Sequence, residues 1–500
     1  MNILLINVPS RKGKGSLEMP AGLLYAGSAI KRSGYRVKII DLYLYDFSDL
    51  DQGNEKLDFV DKVISEFDPA VVGFGGIATS YGRVKRLSEY IKRANPEITQ
   101  IAGGALSSVY DLLLKNTRVD VIFYKEAEVN LVNFLDSLKN NKSFNNIEGI
   151  SYREGENIKV NSSLEQVKDL DDIPFPDYSL LDTKRYLHSM NDWIKDSGIV
   201  LQNNPDYDRI VSKVKNKMYM PIYSSRGCIN KCSFCYRHLD GHRQHSVKYV
   251  INHIKYLKEI FGLDGFQFCD ELFNARIDWI MDFCDALDQE RLNIFYMIGG
   301  ARVARVNEFM LKRLKEAGCV EIAYGHESGS DVILKEYKKG ATTQQNINIT
   351  NLSVSAGMNS PVQLVIGSPG ENNLTIRESI NFLKSVNAYT YSLNYLIPLP
   401  QAPIWKFVEE KNLVDNTEKY LDLVADSGGV PLVNLTKEPD KMWKSWGPLI
   451  RKEMRLYYYK KTKPILYLVY KIFIKIRYLL AQIAPVWVKR LVPGFLKSKF

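Results

Sequence analysis

Three cysteines fall within eight positions of the segment Ser225-Arg226-Gly227-Cys228-Ile229-Asn230-Lys231-Cys232-Ser233-Phe234-Cys235-Tyr236, a C-x3-C-x2-C spacing that puts three thiols on one loop. Thiolates are soft ligands, suited to an iron–sulfur cluster or to zinc. With three ligands crowded together and no obvious fourth, one metal position stays open. A closed zinc site needs a fourth ligand, and His238, His242 and His245 are near enough in sequence to supply it. Three separately buried cysteines are the remaining reading. Cys269, Cys284 and Cys319 sit in apolar strand or helix contexts where packing is the default, although Cys269 adjoins Asp270.

The elements that must position this loop read as two runs of βα alternation. In the first 140 residues, apolar runs at Ile3–Val8, Arg36–Asp41, Ala70–Gly75, Gln100–Ala102 and Val119–Tyr124 alternate with helical patterns. That alternation predicts a doubly wound parallel sheet with a ligand at the strands' C-terminal ends, where Gly75, Gly76, Gly103 and Gly104 lie. Residues 141–215 are polar and irregular, a linker with a small hairpin near Gly149–Tyr152 and a proline-stiffened connector at Asp171–Pro176. Alternation returns over residues 216–400 in six strands, predicting a partial (β/α) barrel whose chemistry sits at its strand C-termini. The cysteine loop follows the first of those strands. Residues 401–460 read as helical, and residues 461–500 as a basic amphipathic tail.

Composition is that of a folded chain: 45% hydrophobic and 25% charged over 500 residues, enough for several cores and unlike either a disordered or a polytopic membrane protein. Six cysteines in this length are no secreted disulfide framework, and the N-terminus lacks the basic start and cleavage site of a signal peptide, so a cytoplasmic setting is expected. The net charge of +10 is unevenly spread. Residues 451–500 carry 13 Lys or Arg against one acid, Glu453, which leaves the other 450 residues near −2. Interleaved with aliphatic and aromatic residues, that charge points to a membrane surface rather than to nucleic acid. A spanning helix is disfavoured, because Lys471, Lys475 and Arg477 would each cost about 2.5–3.5 kcal/mol at its centre. Lys471, Lys475, Tyr478 and Gln482 instead share one face of a helix lying in the interface, on the inner side of the membrane.

The C-x3-C-x2-C loop after the first barrel strand, with Phe234 before the last cysteine, resembles the radical S-adenosylmethionine (SAM) superfamily. The resemblance implies a 4Fe-4S cluster held by Cys228, Cys232 and Cys235, with SAM on the open iron and an adenosyl radical formed on reduction by a donor such as flavodoxin or ferredoxin. It also implies that Phe234, Asp270, Glu271, Glu327, Ser328 and Gly367 contact SAM. These lie in Phe268–Asn274, Tyr324–Ser330 and Gly367–Glu371, segments similar to the family's second, fourth and fifth strand ends. His326, where the family often has an aliphatic residue, is a candidate acid or base.

The domain before the barrel resembles the cobalamin-binding branch of that superfamily, through Pro20–Ala26, Gly34-Tyr35, Asp41, Gly103-Gly104, Glu126-Ala127-Glu128 and the Asp171–Pro176 connector. The resemblance implies cobalamin beside Gly75, Gly76, Gly103, Gly104 and Glu126. Two departures stand out. No D-x-H-x-x-G motif is present, the first histidine of the chain being His188, and Lys125-Glu126-Ala127-Glu128 replaces the family's Gly-Glu-Gly-Glu. The expected activity is methyl transfer to an unactivated carbon of a lipid-like or other small molecule. A cyclase, oxidase or rearrangement enzyme without methyl transfer, and a non-catalytic metal-binding scaffold at a membrane, are the alternatives.

Overall fold

The computed structural model describes residues 1–11, 18–45, 57–162, 166–196, 205–388, 390–426, 431–465, 467–469 and 471–472. The first sheet has the order β2-β1-β3-β4-β5-β6-β7: β1 Asn2–Asn7, β2 Arg36–Asp41, β3 Val71–Gly75, β4 Thr99–Gly103, β5 Val121–Phe123, β6 Ile150–Glu154 and β7 Asn157–Val160. Strands β1 to β5 are parallel. Their continuous apolar runs follow from burial on both faces: Ile3 and Leu5 pack on one side of the sheet, Leu4 and Ile6 on the other. The order reverses at β1, so the crevice at the C-terminal ends of β1 and β3 is the topological switch point where such sheets bind ligands.

The hairpin expected inside a linker belongs to this sheet. β6 pairs antiparallel with β5, Val121 opposite Tyr152, and covers an edge that a three-residue strand would leave bare. The first layer therefore extends to Val160, beyond the expected boundary at 140. The stretch that follows is a connector only in part, since β8 His188–Ser189 pairs antiparallel with β9 Met218–Ile222 at the edge of the second sheet.

The second sheet runs β16-β15-β14-β13-β12-β9-β8, with β12 Gly265–Phe268, β13 Phe295–Ala301, β14 Cys319–Glu327, β15 Val362–Ile366 and β16 Tyr391–Tyr395. Its six longer strands are parallel and form the partial barrel that the alternation predicts. The short ladder of β10 Ser225–Gly227 with β11 His242–Gln244 stands apart from it and frames the cysteine loop.

Helices of the expected 401–460 region brace both layers. Trp443 and Trp446, on the helix Asp440–Thr462, are buried against β15 and β16, while Leu421 of the helix Thr417–Asp426 enters the core of the first sheet. No helix among the described residues is long and apolar enough to cross a membrane. The tail from 473 onward, with its expected interfacial face, lies outside the described residues.

Candidate cluster loop and inter-domain cleft

The exit of β9 is fixed before the cysteines begin. Asp270, at the end of β12, accepts from the Ser224 amide at 2.9 Å, the Ser224 hydroxyl at 3.1 Å and the Ser225 hydroxyl at 2.5 Å, all through Oδ1. Burial pushes its carboxyl up to about 6, the serine contacts pulling the other way. Its Oδ2 is buried without a partner. Asp270 thus anchors the start of the cysteine loop with one oxygen and keeps the other unpartnered. Gly227 follows with φ +82, and a Cβ there would meet the Gly241 carbonyl at 2.5 Å, so only glycine lets β10 pass.

On the loop, Cys232 is buried, Cys228 half-buried and Cys235 exposed. A hydrogen bond from the Cys235 thiol pulls Cys232 down to about 6 against its burial, with Lys339 and Arg302 assisting; the same bond pushes Cys235 up. The two thiols are thus shifted in opposite directions, Cys232 toward the thiolate and Cys235 toward the thiol. The Ser233 amide donates to the Tyr337 carbonyl at 3.0 Å, and Phe234 packs edge-on against Tyr337 at 4.9 Å.

The histidines proposed as a fourth zinc ligand are engaged elsewhere. His238 Nε2 bonds the Lys125 carbonyl at 2.9 Å, His242 Nε2 the Leu272 carbonyl at 3.0 Å, and His245 Nδ1 lies 3.2 Å from Asp171. Among the described residues no three His, Cys, Asp or Glu side chains are grouped to hold a single ion. Three thiols on one loop, with the neighbouring histidines held by other partners, fit the donor set of a cluster better than that of a closed tetrahedral site.

The other expected SAM contacts divide. Glu327 ends β14 at φ +64 and pairs with Lys339 at 2.9 Å, each side chain 11% exposed. Lys339 also bears on Cys232, which puts this ion pair on the cluster side of the barrel. Glu271 is exposed, and an amide contact with Gly227 places it at the foot of the same loop. Gly367 has φ +101, with its amide donating to Glu371. Ser328 is buried, and its hydroxyl accepts from the Ser330 amide at 3.1 Å, a local turn contact.

His326 does not fit the role of acid or base. It is fully buried and faces away from the barrel lumen: Nε2 meets the Thr350 hydroxyl at 2.8 Å, and its ring packs on Phe382. Strand alternation explains this, because Tyr324 and His326 share the helix-facing side while Glu327 ends the strand near Lys339. Burial and Lys339 lower its pKa to about 3, so it stays neutral.

Between the two sheets lies a largely apolar cleft of about 490 Å³, lined by all four expected glycines and, from the barrel side, by Tyr223, Arg226 and His238. The glycines serve two ends. A Cβ on Gly75 would strike Leu23 at 2.7 Å and one on Gly76 would strike Ser80 at 2.7 Å, so packing demands both. Gly104, at φ +69, has nothing nearer than 3.9 Å, and Gly103 makes only ordinary contact with Phe123 at 3.4 Å. Gly104 thus leaves bare backbone beside open space, with Gly103 in ordinary contact next to it, an edge that a flat macrocycle can approach closely.

Glu126 has a part that its sequence context did not reveal. It is 5% exposed and accepts from Arg226 at 2.9 Å and from Arg243 at 2.8 and 3.0 Å; Glu128 holds Arg226 at 2.8 Å. Arg226 also lies 5.0 Å over the Tyr25 ring. The wall of the cleft is therefore bolted to β10 and β11, the strands that frame the cysteines. The only hint in the sequence was Arg226 standing two residues before Cys228. Lys339 gave no signal at all.

Comparison with known proteins agrees with both halves. Residues 222–383 match the Radical SAM superfamily and residues 15–135 the B12 binding domain. The chain is similar to an uncharacterized methyltransferase of Pyrococcus horikoshii, 26% identical over 84% of this chain and 86% of that one. It is also similar to a cytidylyl-2-hydroxyethylphosphonate methyltransferase of Streptomyces wedmorensis, 24% identical over 82% and 81%. In fold it resembles the radical SAM methyltransferase TsrM of Kitasatospora setae, solved with cobalamin and a [4Fe-4S] cluster bound, with a TM-score of 0.63 at 17% identity over 83% of this chain and 75% of that one.

Proposed function

Since this chain is a radical SAM enzyme with an N-terminal B12-binding domain, we propose that it transfers a methyl group from SAM, by way of cobalamin, to an unactivated carbon of a small molecule. One observation carries the reading: Ser225 and Arg226, which line the glycine-edged cleft, immediately precede the cysteine loop, so the two proposed cofactor sites would adjoin through one short strand. When bound, the cluster and SAM supply a radical able to take hydrogen from carbon, and cobalamin supplies a transferable methyl group, chemistry that side chains lack.

The residues of the chain bind, orient and exclude water. Cys228, Cys232 and Cys235 hold the cluster. Asp270 fixes the loop through Oδ1 and offers its free Oδ2 to the SAM amino group, while the Glu327–Lys339 pair sets the charge around the methionine or ribose portion. As the family resemblance implies, Phe234, Gly367 and Glu271 would border the same space. Gly103 and Gly104 seat the corrin, Gly75 and Gly76 keep the wall thin behind it, and Glu126 locks that wall to the barrel.

A lipid-like substrate at the inner membrane face is the finer form of this proposal. Lys and Arg crowd the last fifty residues, and Ile465, Leu468, Val469 and Ile472 are all more than half exposed. Apolar side chains beside cations suit a membrane interface. Full-length protein should sediment with anionic vesicles, and protein ending before Pro464 should not.

The test of the central reading is anaerobic purification with cobalamin supplied, followed by turnover with SAM and strong reductant. About four iron and one cobalt per chain, with S-adenosylhomocysteine and 5′-deoxyadenosine both formed, is the expected result. 5′-Deoxyadenosine alone would assign the chain to a cyclase, oxidase or rearrangement chemistry. No SAM cleavage would leave the non-catalytic scaffold.

A further inference from the structure

The lumen of the partial barrel has an apolar floor and a charged roof. At the N-terminal ends of the strands, Ile210 and Val214 of the helix Pro205–Val214 pack on Tyr219, Met297 and Val320. At the C-terminal end the Glu327–Lys339 pair lies over Gly325, where an added Cβ would stand 2.5 Å from the carboxylate and 2.7 Å from the ammonium. Strand alternation decides what faces the space between. Phe266 and Phe268 pack with the surrounding helices, and Leu364, Ile366, Tyr391, Leu393 and Tyr395 pack with Trp443. Gln267, Gln363, Ser392 and Asn394 therefore point the other way, into the lumen.

These polar side chains are brought together and left unpaired. Gln363 stands between Gly325 and Ser392, Asn394 lies beside Val365, and Gln267 aligns with Met297 on the other side of the lumen. Ser392 and Asn394 are exposed, while Gln267 and Gln363 are half-buried with neither amide sealed off. Among the described residues none of these side chains has a hydrogen-bond partner. Gly299, on the strand next to Gln267, is exposed as well, so the lumen is open at that level. A carboxamide donates and accepts at once, and so does a hydroxyl. The charged groups near this face are already engaged: Lys339 pairs with Glu327, Arg302 donates to the Lys339 carbonyl, and Glu321, aligned with Met297, accepts from Asn359 at 2.5 Å. A phosphate or carboxylate would find no open cation among these residues, and a saturated chain would leave the polar groups unpaired, which selects against it. Ring hydroxyls, which donate and accept without charge, satisfy them.

We propose that the barrel lumen seats a neutral, polyhydroxylated part of the substrate, a sugar-like ring or polyol head, between Gln363, Ser392 and Asn394 on one wall and Gln267 on the other. The inference rests on the radical reading above and narrows its substrate class. For an amphiphilic substrate it also sets the direction of entry: the hydroxylated head goes into the barrel and the apolar chain stays outside.

Saturation-transfer NMR of the anaerobic full-length holoprotein with SAM, using methyl β-glucoside as the probe, tests the seat. Mass spectrometry of the 5′-deoxyadenosine formed with strong reductant and ring-deuterated glucoside tests its place. The wild type should bind the glucoside and carry its deuterium into 5′-deoxyadenosine. Gln363→Leu and Asn394→Leu, which keep the bulk and remove the amide, should each weaken binding about tenfold, as expected for the loss of one or two hydrogen bonds. Cleavage of SAM without the probe should stay within about twofold in both, because neither residue is placed on SAM. Ser392→Ala, at an exposed position of the edge strand, should weaken binding about threefold and serves if a leucine variant misfolds. Glucoside binding that all three variants leave unchanged overturns the proposal, as does binding with no deuterium transferred. A hexose phosphate or a plain alkanol that binds where the glucoside does not, with Gln363→Leu weakening it, overturns it too. A wild type that cleaves SAM but binds no glucoside overturns this inference alone, whereas one that cleaves no SAM overturns the radical reading with it.

Discussion

Replacing Glu126 by Gln should loosen the joint between the two domains without unfolding either. Burial raises this carboxyl's pKa, but Arg243 and Arg226 outweigh it and hold the group below the usual carboxylate range. After the substitution Arg226 keeps Glu128 at 2.8 Å, whereas Arg243, 15% exposed, loses its carboxylate and keeps only neutral acceptors, the glutamine oxygen and the Val167 carbonyl. Stranding a buried charge costs about 3–5 kcal/mol, and because one of the two arginines stays paired the low end, about 3 kcal/mol, applies. At about 1.4 kcal/mol per factor of ten, opening of the β10–β11 ladder should rise on the order of 100-fold. Hydrogen exchange read by mass spectrometry reports this directly: amides around residues 242–246, where the His245 amide donates to the Ser224 carbonyl at 2.9 Å, should exchange about 100-fold faster while residues 362–366 do not change. Since the folded pKa is depressed, the wild-type contribution is present above the ordinary carboxylate value and lost as pH falls through the folded one, and the variant should lack that acid-side loss. A change below about threefold at 242–246, or equal acceleration at 362–366, would refute the argument.

Cys228→Ala, Cys232→Ala and Cys235→Ala should each fall well below the about four iron per chain of the wild type and abolish SAM cleavage, measured as 5′-deoxyadenosine. Asp270→Asn should remove a pH dependence of stability. Its folded pKa of about 6 lies above the ordinary value, so wild-type stability declines as pH rises from about 4 to about 6 and is flat beyond, seen as a denaturation midpoint against pH. His326→Gln should leave SAM cleavage within about twofold and cost about 1–2 kcal/mol in stability, because it disturbs only the buried contact with Thr350; a large loss of cleavage at unchanged stability would return His326 to the site. Gly104→Val should weaken cobalamin retention while sparing iron, because its side chain would fill the open side of the cradle at a left-handed position that disfavours it.

Much of this was legible in the sequence because it rests on short-range rules. A C-x3-C-x2-C spacing puts three thiols on one loop whatever surrounds it, and βα alternation dictates parallel sheets whose loops gather at one edge. β1 could be read as a strand buried on both faces because its apolar run has no polar alternation. What only the tertiary structure decided concerns partners far apart in the chain. Glu126 and Arg243 stand 117 residues apart, and nothing local marks either as half of an ion pair. His326 and Glu327 are adjacent, yet one turns to the helices and the other ends the strand beside Lys339, a choice set by strand register rather than by residue type. Gly76 and Gly104 read alike as letters, but one is favoured by Ser80 packed behind it and the other by a left-handed φ of +69. His238 was visible only as a nearby donor for the cysteines; packing ties its Nε2 to the Lys125 carbonyl of the other domain instead. The sequence determined which groups could do chemistry and the edge on which they gather, because those depend on spacing and periodicity. Which of them face one another depended on long-range burial, which no window of sequence contains.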